Sequence, residues 1–289
     1  GQDITYENNI KEDLIFLADD KLEGRKTGTE GEKLAAKYIS ERFEKLNLSD
    51  KGTENYYQDF YFGNNNNPHE EIEFNKESDN SQIHARNVVG FLDNGGSNTV
   101  VIGAHYDHLG YGEESSLYFG DEVLIHNGAD DNASGTSLLL DLANRLTTKE
   151  LKSNYLFIAF SGEEMGLLGS NYFLKNPTVS IDEINYMINM DMVGRLNEDN
   201  KLSVSGVGSA KIFKQIVNSN NSNFNIVEFG SSSTSSFGSS DHASFYYEDI
   251  PVLSFFTGQH EDYHKPSDDY DKINFEGIKV RTNIKNISI

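Results

Sequence analysis

Five segments of this chain are apolar almost without interruption: RNVVGFL (86–92), TVVIGAH (99–105), YLFIAF (155–160), INYMINM (184–190) and IPVLSFF (250–256). A strand with one face in water alternates apolar and polar residues, whereas a continuous apolar run suits a strand covered on both faces. Helical periodicity lies between several of the runs, at 134–147, 164–175, 209–219 and 241–247, with a last helix expected over 273–285. Two more helices are expected near the start, at 8–20 and 30–46; in the second, Leu34, Ala35, Tyr38, Ile39, Phe43 and Leu46 recur at helical spacing. Such alternation predicts an α/β fold with a mixed, mostly parallel central sheet. YYQDFYF (56–62) alternates like a strand, and the polar stretches around EIEF (71–74) look like hairpin connections. There is no internal repeat. GSSSTSSFGSS (230–240) is of low complexity and reads as a mobile loop that follows a strand.

Charge and composition narrow the function. The formal net charge of −22 disfavours nucleic acid and anionic membranes, although most of it is a solvated acidic surface. No apolar run approaches the ~20 residues of a membrane-spanning helix. Cysteine is absent, which removes disulfides, thiolate metal sites and cysteine nucleophiles.

In open α/β sheets, ligands gather beyond the carboxyl ends of the strands. Four apolar runs deliver candidate metal ligands there: His105 and Asp107 after the second, Glu163 and Glu164 after the third, Asp191 after the fourth, and His264 after the fifth. The loop NGADDNASG adds Asp130 and Asp131 just before a helix. Each has an ordinary explanation when taken singly: an aspartate pair before a helix caps it, and adjacent glutamates are usually solvated. Their joint placement after buried strands argues for a common purpose. Imidazole and carboxylate without sulfur suit Zn²⁺, with cobalt or manganese as alternatives. Two ions about 3.5–4 Å apart, bridged by one aspartate, would account for the density of negative charge. One of the paired glutamates could then bind metal while its neighbour carries protons.

At these residues the sequence resembles the aminopeptidases of peptidase family M28. GAHYDHLG (103–110), NGADDNASGT (127–136), FSGEEMGLLGS (160–170), NMDMVGR (189–195) and TGQHEDYHKPSDD (257–269) are similar to its five motifs, in order, and residues 19–39 resemble its N-terminal region. The resemblance implies a single three-layer α/β/α sandwich over 1–289, with helices 7–46 packed on the same domain. It implies two zinc ions per chain: His105 and Asp191 on one, Glu164 and His264 on the other, and Asp130 as the bridge, with a cis peptide expected at Asp130–Asp131. It further implies Glu163 as general base, Asp107 as the partner that orients His105, and Tyr263 as an aid to the oxyanion. Peptides with a free N-terminus would be the substrates. Export with the signal peptide removed is expected. Residues 47–98 are too few to hold the protease-associated domain that many members carry.

Three rivals bear on this. HEDYH (260–264) matches the helical H-E-x-x-H zinc signature, but Gly258 and Pro266 flank it and oppose a helix. Glutaminyl cyclases resemble the family and use a single zinc; carboxypeptidases and dipeptidases occur within it. Non-catalytic relatives serve as binding modules but lose ligands. His108, His126, His242 and His260 read as structural, Asp131 as support for its loop, and Asp241 as a residue that orients something near the cleft.

Overall fold

Each of the five apolar runs is a strand. The strands in chain order are β1 (Ser49–Asp50), β2 (Tyr57–Gly63), β3 (Phe74–Asn75), β4 (Gln82–Leu92), β5 (Thr99–His105), β6 (Asn154–Phe160), β7 (Ile184–Met190), β8 (Lys201–Ser205), β9 (Asn225–Phe229) and β10 (Val252–Phe256). The computed structural model describes residues 2–63, 72–75, 82–219, 224–229 and 240–282. The expected hairpin connections around EIEF and nearly all of the 230–240 loop lie outside the described residues.

The strands form one sheet in the order β3-β2-β4-β6-β5-β7-β10-β8-β9, with β1 beside β4. Its centre is parallel: β5 pairs parallel with β6 and with β7, and β7 with β10. Flanking pairs β2–β4, β4–β6 and β8–β10 are antiparallel. The carboxyl ends of β5, β6, β7 and β10 therefore open on the same edge, so the residues that follow them are brought together by topology alone.

The helices are α1 (Gln2–Leu17), α2 (Glu30–Lys45), α3 (Gly135–Leu146), α4 (Leu168–Lys175), α5 (Lys211–Ser219), α6 (His242–Tyr247) and α7 (Phe275–Thr282). Because strand side chains alternate, Val100, Ile102 and Ala104 of β5 meet residues of α1, α2 and α3, among them Leu14, Ile39 and Leu139. Val101 faces the opposite way, into a cluster with Phe173 of α4 and Phe245 of α6. Helices thus cover both faces, giving a three-layer α/β/α arrangement. Close packing reaches the edge of the site: a Cβ on Gly103 would stand 2.7 Å from the Phe160 ring.

Some element bounds differ from the expectation. The helix read at 164–175 begins only at Leu168, because Gly162, Gly166 and Leu167 all have positive φ and turn the chain after β6. The helix read at 8–20 ends at Leu17, where Asp19 caps a separate short turn over Asp20–Arg25. No helix among the described residues is long and apolar enough to cross a membrane.

Candidate metal centre

His105 is the last residue of β5, and its ring is buried. Its Nδ1 lies 3.2 Å from the carbonyl of Asp107 and 3.5 Å from Asp107 Oδ1. Its Nε2 faces three carboxylates: Asp131 Oδ1 at 3.4 Å, Asp191 Oδ1 at 3.5 Å and Glu163 Oε2 at 3.7 Å. None of the three makes a hydrogen bond to it. Burial works against the imidazolium, but the charges of Glu163 and Asp191 outweigh it and hold the His105 pKa well above its ordinary value.

A second set stands beside the first. His264 Nε2 lies 3.2 Å from Asp131 Oδ2 and 3.2 Å from Glu164 Oε2. Its Nδ1 lies 2.9 Å from the carbonyl of Ser115, which fixes the tautomer. Despite burial, Asp131 and Glu164 raise the His264 pKa to about 10. His108 Nδ1 lies 2.9 Å from Glu164 Oε1, the oxygen that Glu164 turns away from its contact with His264.

The two oxygens of one carboxylate, Asp131, therefore look at the two imidazoles separately. Asp130, the expected bridge, does not. Its Oδ1 accepts from the backbone N–H of Gly194 at 2.7 Å and from Ser134 Oγ at 3.1 Å, and its Oδ2 lies 2.8 Å from His260 Nε2. Fixed groups of the chain occupy both oxygens, so Asp130 faces neither imidazole of the pair, whereas its neighbour faces both. The cis peptide is likewise one residue further on, at Asp131–Asn132. Asp268 accepts the N–H groups of Asp130 and Asp131, each at 3.0 Å. The side-chain Nδ2 of Asn132 then reaches the carbonyls of His105 at 3.2 Å and Met190 at 2.9 Å, tying the loop to the ends of β5 and β7.

Asp107 does more than face His105. Its Oδ1 accepts the N–H of Glu163 at 3.2 Å and its Oδ2 that of Glu164 at 3.3 Å. The adjacent glutamates diverge from a backbone held by a single carboxylate, and Gly162, at φ 71°, supplies the turn. Burial, reinforced by Glu164, Asp191 and Asp241, raises the Glu163 pKa well above normal, although His105 opposes it. The Tyr263 ring stacks on His264, with centroids 3.9 Å apart. Burial and the surrounding carboxylates push its phenol pKa up.

His108, read from the sequence as structural, and Asp131, read as support for its loop, stand together with Glu164 in one cluster of possible ligands. The short spacing of the three polar residues in H-Y-D-H was the available signal. The H-E-x-x-H alternative does not form: residues 261–264 make a turn, His264 has φ 53°, and His260 points to Asp130. His126 is held between Ser116 Oγ (2.7 Å) and the Leu124 carbonyl (3.0 Å). Burial lowers the His242 pKa to about 4 and raises that of the fully buried Asp241 to about 7.

Nitrogen and oxygen donors, a buried imidazole nitrogen with no hydrogen-bond partner and a surplus of carboxylates fit divalent zinc. Among the described residues, two groups of donors lie close enough to hold an ion, His105 with Glu163 and Asp191, and His108 with Asp131 and Glu164.

The sequence pattern of Peptidase family M28 matches residues 87–285. This chain belongs to peptidase family M28. The M28 chain is 32% identical to aminopeptidase YwaD of Bacillus subtilis over 169 residues, 55% of this chain and 36% of that protein. It is 25% identical to aminopeptidase Y of Saccharomyces cerevisiae over 70% of its own length and 38% of the relative's. The matched stretches thus span well under half of those relatives. Its fold matches that of a Zn-dependent exopeptidase from Parabacteroides distasonis, with a TM-score of 0.75 at 18% identity over 96% of this chain and 95% of that one. The fold of a Bacteroides thetaiotaomicron glutaminyl cyclase is nearly as similar, with a TM-score of 0.73 at 17% identity over 98% of this chain and 95% of that one.

Proposed function

We propose that this M28 chain is an aminopeptidase that holds two zinc ions. The observation that carries the reading is the placement of Asp131, whose two oxygens stand 3.4 Å from His105 Nε2 and 3.2 Å from His264 Nε2. His105 and Asp191 would hold one zinc, His264 and Glu164 the other, with Asp131 shared. His108 would orient Glu164 through its hydrogen bond to Oε1, and Asp107 would orient His105. Bound zinc would supply the acidity that brings a water towards neutral pKa and the charge that polarises a scissile carbonyl.

The chain's own residues do the rest. Glu163, whose Oε2 faces the His105 set, takes the proton of the attacking water and passes it to the leaving amine. Its raised pKa suits a group that must both accept and return a proton. Tyr263 keeps its phenol protonated beside His264 and donates to the carbonyl oxygen as charge develops there. A cleft rich in carboxylates favours substrates with a free α-ammonium group. Residues 1–289 are read as one peptidase domain, because α1 and α2 pack into the same apolar core as β4 and β5. Export is the expectation that the family resemblance brings.

Hydrolysis of aminoacyl-nitroanilides against N-acetylated controls tests the reading, alongside zinc content per chain. Free amines cut, acetylated ones spared, chelator inhibition and about two zinc ions per chain are expected. Equal cleavage of both substrates removes the aminopeptidase assignment. A single zinc with cyclisation of N-terminal glutamine makes the protein a cyclase.

A further inference from the structure

The stretch that matches the family begins at residue 87, yet the support of the paired glutamates reaches back to Thr27. Thr27 is 4% exposed, in the glycine-rich segment between α1 and α2. Its Oγ1 donates to Asp107 Oδ2 at 3.1 Å and accepts the N–H of Gly162 at 3.1 Å. Ser161 Oγ is 3.2 Å away, but its proton goes to Glu32 Oε1 at 2.6 Å. Each hydroxyl has one proton, so the Thr27 proton is committed to Asp107.

The segment that carries Thr27 is itself fastened. The Arg25 guanidinium, fully buried, donates to the carbonyls of Tyr106 (2.7 Å), Asn127 (2.7 Å), Gly128 (3.2 Å) and Leu17. His108 N–H donates to the Arg25 carbonyl at 3.2 Å, and Gly110 N–H to that of Gly24 at 3.2 Å. Thr27 thus sits on a rigid mount and touches two elements at once: the carboxylate that receives the Glu163 and Glu164 amides, and the amide of the residue just before them.

We propose that Thr27 is a positioning residue for the paired glutamates, acting through Asp107 and the Gly162 amide. The inference rests on the dizinc reading above. A valine has the shape of threonine without the hydroxyl. Thr27→Val leaves Asp107 Oδ2 one donor short and the buried Gly162 amide without an acceptor, so the Glu163–Glu164 backbone loses its register against His105.

The test compares Thr27→Val and Thr27→Ser on two readouts: zinc retention in competition with a chelator, and kcat and KM on leucyl-nitroanilide. Thr27→Val is expected to give up zinc about tenfold more readily and to lose about tenfold in kcat with little change in KM. Thr27→Ser, which keeps the hydroxyl, is expected to restore both. If Thr27→Val fails to fold, Thr27→Ala carries the same expectation. A valine variant that matches the wild type on both readouts overturns the proposal, as does a serine variant equally impaired. If the wild type takes up no zinc, the functional reading falls with it. If it binds zinc without cutting the nitroanilide, zinc retention alone decides the role of Thr27.

Discussion

The His105 half and the His264 half of the centre hang on different kinds of backbone. His105 ends β5, Asp191 follows β7 directly, and Asn132 and Thr136 both hydrogen-bond the His105 carbonyl. That half is built on the sheet. His264 sits in a turn eight residues beyond β10, at φ 53°, steadied by Ser115 and by the N–H of Leu117 on its own carbonyl. That half is built on loops. Asp131 and Asp107 are the two carboxylates that join them. Sheet edges fix direction through many backbone hydrogen bonds, whereas loops must fix it one contact at a time. The loop half therefore depends on more individual side chains.

The largest effect expected is at the residue between the halves. Glu163→Gln should lower kcat by about 10²–10⁴-fold while zinc content holds, whereas Glu261→Gln, on the exposed turn, should leave steady-state rates unchanged; the reverse pattern would restore the H-E-x-x-H alternative. Next comes the bridge. Asp131→Asn should empty both metal positions by elemental analysis. Asp130→Asn should keep both and instead cost about 1–3 kcal/mol in denaturant titration, because it disturbs a buried carboxylate with three partners. If Asp130→Asn strips the metals and Asp131→Asn does not, the bridge has been misassigned.

Smaller effects separate the halves more finely. In a chelator titration the loop half should release its zinc first, and His108→Gln should widen that gap by about tenfold through the loss of its hold on Glu164; simultaneous release of both ions would show the halves to be equivalent. The smallest expected effect is a pH dependence. In metal-stripped protein the folded His264 has its pKa raised from 6.5 to about 10. A raised histidine contributes stability that is full below its unfolded pKa and disappears as pH rises through the folded one. The melting temperature should thus fall between pH 6.5 and about 10, a slope that zinc removes and that His264→Gln makes shallower, the raised His105 keeping the remainder. A slope that zinc leaves unchanged would place its origin elsewhere.

The same contrast explains what could be read from residues alone. Continuous apolar runs announce strands covered on both faces, and a residue placed right after such a strand has little freedom, so the convergence of His105, the two glutamates and Asp191 was legible. Asp130 and Asp131 were not separable, because neighbouring aspartates in an irregular turn differ only in which fixed donors surround them. Gly194, Ser134 and His260, which claim Asp130, are distant in sequence. His108 was hidden for the same reason: its partner Glu164 belongs to another strand's end. Strands β1 and β8 went unread because strands of two and five residues leave almost no periodic signal.

The buried guanidinium of Arg25 sets a limit on trimming this protein. A fragment cut back to residue 87 would take from the carbonyls of Tyr106, Asn127 and Gly128 the guanidinium from which they accept. The segment that the family pattern recognises thus leaves out the donor that ties down three carbonyls beside the candidate metal centre.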